Sequence, residues 1–269
     1  MVSGTPAEAL GALERAAVAA HPMSLAELNA RAELLARRDN SYLVPVSVFE
    51  DFAARLTDPH RPGGRPAFRV LAIDGLRCFR YRSTYYDPPE LRTFHDHRQG
   101  RRRRFRIRER VYEDSGERQF EAKLKSGRGE TVKQRQRMAG GDRPLDGVRL
   151  RFLARVLRES YGMLDVPHGL PPSLRTDYRR VTFVADGQRV TCDAGLVVRD
   201  EATGGRAVAD GGLVLVETKT RGHLTEADRM LHGYGVRPAG FTKYSAGLAA
   251  VRPELGANAW ARVVRRVFP

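Results

Sequence analysis

The sequence predicts an α+β fold in which an antiparallel sheet curls into a tunnel lined by charged residues, with helices packed outside. Three observations predict it. Residues 105–135, FRIRERVYEDSGERQFEAKLKSGRGETVKQR, place ions of both signs at every second position of two strands joined by a short turn. Arg106, Arg108 and Arg110 therefore share one face of the first strand, and Glu121, Lys123 and Lys125 one face of the second, opposite Phe120, Ala122 and Leu124. The theme recurs in VLVETKTR, where Glu217, Lys219 and Arg221 alternate with Val216, Thr218 and Thr220. In two further strands, Tyr178, Arg180 and Thr182 oppose Arg179, Val181 and Phe183, while Arg189, Thr191 and Asp193 oppose Val190 and Cys192. An unpaired buried cation costs several kcal/mol, so this many ionic faces are either solvated or gathered around a polyanion. A sheet curled with its ionic faces inward and its apolar faces under helices satisfies the second condition.

Composition narrows the partner. The chain has 269 residues, 41% of them apolar, which suffices for a real core. Forty-seven Lys and Arg against 32 Asp and Glu leave a formal charge of +15, which favours nucleic acid, phosphate chains or an anionic surface. Two cysteines, Cys78 and Cys192, have no metal-ligand spacing, and a reducing cytoplasm is the expected setting. There is no apolar run of transmembrane length, and the start carries Glu8 and Glu14 where a signal peptide would be positive.

In chain order, residues 6–38, rich in Ala, Leu, Glu and Arg, read as one or two helices interrupted near Pro22, and residues 1–36 form a helical extension ahead of a main domain, 37–269. Tyr42–Val46 is a short strand, and Ser47 caps a helix reaching Leu56. Phe68–Asp74 and Phe79–Tyr86 read as a hairpin across Gly75, and Pro88–His97 as a helix opened by proline. The two charged strands follow, then an Arg-rich helix, Leu145–Tyr161. HGLPPSL, 168–174, is a loop between two halves of one sheet. Tyr178–Ala185, Arg189–Arg199 and Gly212–Lys219 are strands, and Thr225–Leu231, Tyr244–Val251 and Asn258–Val267 are helices.

The segment YRSTYYDPPELRTFHDHRQGRRRRFRIRERVYEDSGERQFEAKLKSGRGETVKQR, with VETKT and FTKYSAGLA further on, resembles the VTC domain, in its bacterial form, within the CYTH-like triphosphate tunnel metalloenzymes. The resemblance spans residues 37–266. It implies a closed antiparallel tunnel of about eight strands. It also implies transfer of the γ-phosphoryl group of ATP to inorganic polyphosphate, with Mn2+ or Mg2+ as cofactor. Carried over position by position, it implies phosphate-gripping or catalytic roles for Arg108, Arg110, Lys123, Arg180, Arg189 and Lys243. Lys125, Lys133, Arg135 and Lys219 are implied as further substrate contacts. Glu217 in VETK is implied as the metal ligand, with Glu121 as a second. One position departs: RRDNSY puts Ser41 where the family's first strand carries a basic residue, which weakens one phosphate contact. The same tunnel with water as acceptor is a triphosphatase. A binding protein for polyphosphate or nucleic acid is the reading from another class, although the basic strands lack the interleaved aromatics that base stacking requires.

Other motifs have plainer readings. RRRR at 101–104 is a solvated basic run or a loose collar for a polyanion, and His95 and His97 are too close along a helix to converge on a metal. GRGETVK at 127–133 lacks P-loop spacing, Tyr85 and Tyr86 are sheet packing, and Trp260 belongs to the cap or core.

Overall fold

A computed structural model describes residues 6–31, 38–61, 65–125, 131–139, 145–163, 166–167, 169–185, 187–220, 224–256 and 260–269. The helices are α1 (Pro6–Ala19), α2 (Leu25–Arg31), α3 (Val46–Thr57), α4 (Arg92–Arg98), α5 (Gly147–Tyr161), α6 (Glu226–Gly233), α7 (Lys243–Val251) and α8 (Ala261–Val267). The strands are β1 (Pro22–Met23), β2 (Arg38–Pro45), β3 (Arg69–Leu71), β4 (Phe79–Tyr86), β5 (Arg104–Tyr112), β6 (Glu117–Lys125), β7 (Thr131–Met138), β8 (Pro172–Ala185), β9 (Gln188–Asp200), β10 (Arg206–Val208) and β11 (Leu213–Thr220). They join in one sheet whose main path runs β2-β11-β9-β8-β4-β5-β6-β7, every step on it antiparallel.

That path curls. Asp39 and Ser41 of β2 line the same cavity as Lys133 and Arg135 of β7, although the two strands lie at opposite ends of the path. A Lys123–Asp39 ion pair at 3.3 Å ties β6 to β2. The closure expected above is not present as a hydrogen-bonded ladder among the described residues, because no pairing joins β2 to β7.

Period-two alternation does what the charges require. Phe105, Ile107, Phe120, Ala122 and Leu124 turn outward and pack with Phe152, Leu153, Val156 and Leu157 of α5. Val181, Phe183, Val190, Cys192, Val214 and Val216 pack beneath α1 and α3 through Ala9, Leu13, Phe49 and Phe52. A third cluster seats α7 and α8 on Leu174, Leu196 and Val198. Helix α5 starts at Asp146, whose side chain accepts from the Arg149 N–H, and ends at Gly162 with φ of 66°, a conformation suited to glycine.

Several local expectations are corrected. The hairpin across Gly75 does not form: β4 is flanked on both edges by β5 and β8, so β3 pairs instead with β1 and the far end of β8. Only the isolated bridge Ile73↔Leu76 remains of it. Helix α3 begins one residue before Ser47, after Pro45, with no side-chain cap. The expected helix from Pro88 begins at Arg92, after Leu91 in the left-handed region. The expected loop at 168–174 contains the start of β8, because burying Leu174 completely outweighs the turn tendency of the proline pair. Strand β7 lacks apolar alternation and was not anticipated as an element of its own, since an edge strand of Lys, Gln and Arg has little core to face. Arg221 and most of the GRGETVK segment lie outside the described residues.

Candidate active site

All twelve residues nominated above line one cavity of about 980 Å³. Arg108 and Arg110 come from β5, Glu121, Lys123 and Lys125 from β6, and Lys133 and Arg135 from β7. Arg180 comes from β8, Arg189 from β9, Glu217 and Lys219 from β11, and Lys243 from the first turn of α7. The lining holds thirteen Lys and Arg against six Asp and Glu among the described residues, so it is strongly cationic despite its mixed composition. A linear polyanion complements such a lining.

The β8–β9 side is built around Asp193, which is fully buried. Arg180 donates to both of its oxygens, Nε to Oδ1 at 2.6 Å and Nη2 to Oδ2 at 2.7 Å, and Lys243 Nζ donates to Oδ2 at 2.5 Å. Burial pushes the Asp193 carboxyl up, but Arg180 and Lys243 outweigh it and hold the group below the usual carboxylate range. Tyr81 and Tyr178 stack at 5.5 Å beneath these cations. The Arg180 guanidinium lies 5.3 Å from the Tyr81 ring centre and the Lys243 ammonium 4.7 Å from that of Tyr178. Arg110 joins them, donating to the Tyr178 hydroxyl at 3.1 Å.

Across the cavity, Glu121 is the buried carboxylate. Arg108 Nε donates to its Oε2 at 2.5 Å, and Lys133 ion-pairs with its Oε1. Burial drives the Lys133 amine down, and Arg110 and Arg108 add to this against the pull of Glu121, leaving a pKa of about 7. Arg106 has no hydrogen bond or ion pair to any described residue. Burial, with Arg108 and Arg104 nearby, lowers its pKa, so its positive charge is an energetic burden that an anion relieves.

Glu217 faces the cavity from β11, and its Oε2 accepts from Lys219 Nζ at 3.1 Å while the side chain stays 30% exposed. Burial raises its pKa, but Lys219, Lys243, Arg180 and Lys123 hold it well below the carboxylate range. The next residue, Thr218, points outward to Asp228, which also accepts from Tyr42 and thereby fixes β2, β11 and α6 together. No cluster of three or more His, Cys, Asp or Glu able to hold a metal occurs among the described residues. Glu217, ionised and partly open, fits as a single protein ligand to a hard cation whose other oxygens come from a phosphate chain. Glu121, with both oxygens engaged by cations, does not fit that role in this arrangement.

Tyr85 is not merely packing: its hydroxyl accepts from Arg108 Nη1 at 3.2 Å at the cavity wall. His97 lines the cavity and accepts from Arg104 Nε at 3.2 Å. Burial and then Arg106, Arg104, Lys123 and Lys125 push it down to about 2, so it is a neutral spacer. Its ring stacks on Trp260 at 5.7 Å. Within RRRR, Arg101 pairs with Asp96 outside the cavity, Arg103 donates to the Tyr161 carbonyl, and Arg104 lines the cavity. Asp193, Arg106, Tyr81, Tyr85 and Tyr178 were not nominated as site residues. The inward faces already contained Asp193, Arg106 and Tyr178, but which carboxylate meets which cation is a matter of register.

The family model of the VTC domain matches residues 37–252. The chain belongs to the VTC domain family. No curated protein matches it. Among solved structures, the VTC chain is similar to a candidate adenylate cyclase from Bacillus halodurans at 13% identity and a TM-score of 0.47, covering 77% of this chain and 93% of that one. A Pyrococcus horikoshii protein matches at 13% identity and 0.41, covering 78% and 96%. A Hippeastrum protein described as a candidate adenylyl cyclase with dominant triphosphatase activity matches at 13% and 0.38, covering 78% and 94%. No helix among the described residues of the VTC chain is long and apolar enough to cross a membrane.

Proposed function

We propose that this VTC-family protein is a metal-dependent phosphotransferase that extends inorganic polyphosphate with the γ-phosphoryl group of ATP. The observation that carries this reading is the convergence of Arg106, Arg108, Arg110, Lys123, Arg180 and Lys243 on one cavity that also presents the ionised carboxylate of Glu217. Phosphoryl transfer needs positioning and charge neutralisation more than covalent chemistry, and this lining offers both.

In the reaction, the bond between the γ-phosphorus and the β–γ bridging oxygen breaks, a terminal phosphate oxygen of the acceptor bonds to that phosphorus, and ADP leaves with the bridging oxygen. Arg108, Arg110, Lys123, Arg180, Arg189 and Lys243 hold the donor and acceptor oxygens in line, with Lys125, Lys133, Arg135 and Lys219 guiding the chain. Asp193 and Glu121 act through the cations they orient. Glu217 would hold a bound Mn2+ or Mg2+, which would supply charge neutralisation. Ser41 sits opposite Glu217 in the ladder, and the lysines nearest this part of β2 are already engaged, Lys123 by Asp39 and Lys219 by Glu217.

The test is incubation with ATP and Mn2+ or Mg2+, measuring long-chain polyphosphate and free phosphate in one tube. Polyphosphate from the wild type, and a loss of at least a hundredfold in Glu217→Ala, is the expected result. Phosphate without polymer assigns water as the acceptor. Full turnover in Glu217→Ala removes Glu217 from the mechanism.

A further inference from the structure

We propose that the mouth of the cavity between α2 and the Ile73–Leu76 turn is a nucleoside subsite, with Leu25 and Leu76 as its specificity-determining residues. The inference rests on the triphosphate reading of the interior and adds where the uncharged end of the donor sits.

One side of the lip, α2, comes from the segment ahead of the family-matched region, and the other, β3 with the turn after it, from within that region. Ser24 and Glu27 cap α2 reciprocally, Ser24 Oγ accepting from the Glu27 N–H while Glu27 Oε2 accepts from the Ser24 N–H. Strand β1 pairs in parallel with β3, and Arg69 pairs with Glu27 at 2.9 Å, which pins α2 beside β3. The turn beyond β3 places Asp74 at φ 48° and Gly75 at φ 80°, so the chain reverses in two residues and presents Leu76 to the mouth. Leu25 and Leu76 stay 46% and 47% exposed while lining the cavity. Leu28, Leu71 and Phe79 form the buried base beneath them.

A cavity for phosphate alone has no use for that surface. The apolar cluster touches Tyr81, and the Arg110 and Arg180 guanidiniums each lie 5.3 Å from the centre of the same ring. A ligand with phosphates on those two arginines reaches the lip by passing one tyrosine ring. The acids at this mouth argue the same way. Asp74, Asp114 and Glu117 line the cavity here; Asp114 is engaged by Arg80, while Asp74 and Glu117 offer acceptors to ribose hydroxyls and an exocyclic amine. At the other end of β5 and β6, the paired positions Arg104 and Lys125 are both cationic, whereas Tyr112 and Glu117 are paired at this end. The two ends of one strand pair, about 27 Å apart, are thus opposite in character: one suits a nucleoside and the other suits phosphate.

The experiment compares affinities of the full chain for ATP and inorganic tripolyphosphate, by calorimetry, in the wild type and in Leu25→Ser/Leu76→Ser. Both leucines are half-exposed, so the fold tolerates the change. The expected result is ATP binding weakened about tenfold, the worth of re-burying the exposed parts of two leucines, with tripolyphosphate affinity unchanged. Unchanged ATP affinity, as expected if the lip instead docks a protein, overturns the subsite, and so does equal weakening of both ligands. Wild-type protein that binds neither ligand overturns the triphosphate reading and the subsite with it, whereas tripolyphosphate binding in both proteins sustains that reading whatever ATP does.

Discussion

The two sides of the cavity handle buried charge differently. On the β8–β9 side one carboxylate, Asp193, neutralises two cations at 2.5–2.7 Å, and a stacked tyrosine pair supports them. On the β5–β7 side Glu121 is shared between Arg108 and Lys133, Arg106 has no partner among the described residues, and the Lys133 amine is driven down to about 7. The first side is held by its own ion pairs. The second is under electrostatic stress that an anion relieves, and it is where binding energy is expected to originate.

Removing the carboxylate from the settled side is expected to have the largest effect. Asp193→Asn leaves Arg180 and Lys243 buried without their counter-charge, and urea unfolding is expected to show a loss of about 3–5 kcal/mol. A loss below about 1 kcal/mol would erase the distinction between the sides. Arg106→Ala is expected to do the opposite: stability unchanged or raised, and tripolyphosphate affinity reduced by about 2 kcal/mol, roughly thirtyfold. If the variant is destabilised while affinity holds, Arg106 is structural.

Lys133 sharpens the contrast through pH. Its folded pKa of about 7 lies below the ordinary 10.5. Between those values the unfolded chain binds the extra proton, so this group makes stability rise with pH across that window. A bound polyanion reverses the shift, and at pH 8 binding is expected to take up close to one proton, seen as a buffer-dependent calorimetric heat. Lys133→Met should abolish that uptake, and persistence of the full uptake refutes the assignment. Arg135, exposed on the β7 edge, is expected to matter least, with Arg135→Ala costing below about 1 kcal/mol of affinity and that contribution vanishing at high salt.

How much of this was legible follows from the kind of order involved. Alternation within one strand is local, so the inward faces of β5, β6, β8, β9 and β11 and the apolar faces under α5 and α3 could be read directly. Pairing between strands is not local. Arg180 meets Asp193 only because β8 and β9 pair in that register, beyond a shift between Asp177 and Arg179. Tyr85 looked like ordinary sheet packing because nothing nearby in sequence announces that Arg108 sits across from it. Strand β7 carries site residues on a segment with no apolar face, so Lys133 and Arg135 were identified by family resemblance while the strand itself went unread.

Asp87 has a reach that its position outside the cavity lining conceals. Completely buried, it accepts from the Thr93 and Phe94 N–H groups at the start of α4 and from the Tyr244 hydroxyl at 2.5 Å. Tyr244 follows Lys243, so the carboxylate that starts one helix also sets how far another advances its lysine into the cavity. A substitution at the buried start of α4 can therefore displace Lys243 without altering any residue of the cavity lining.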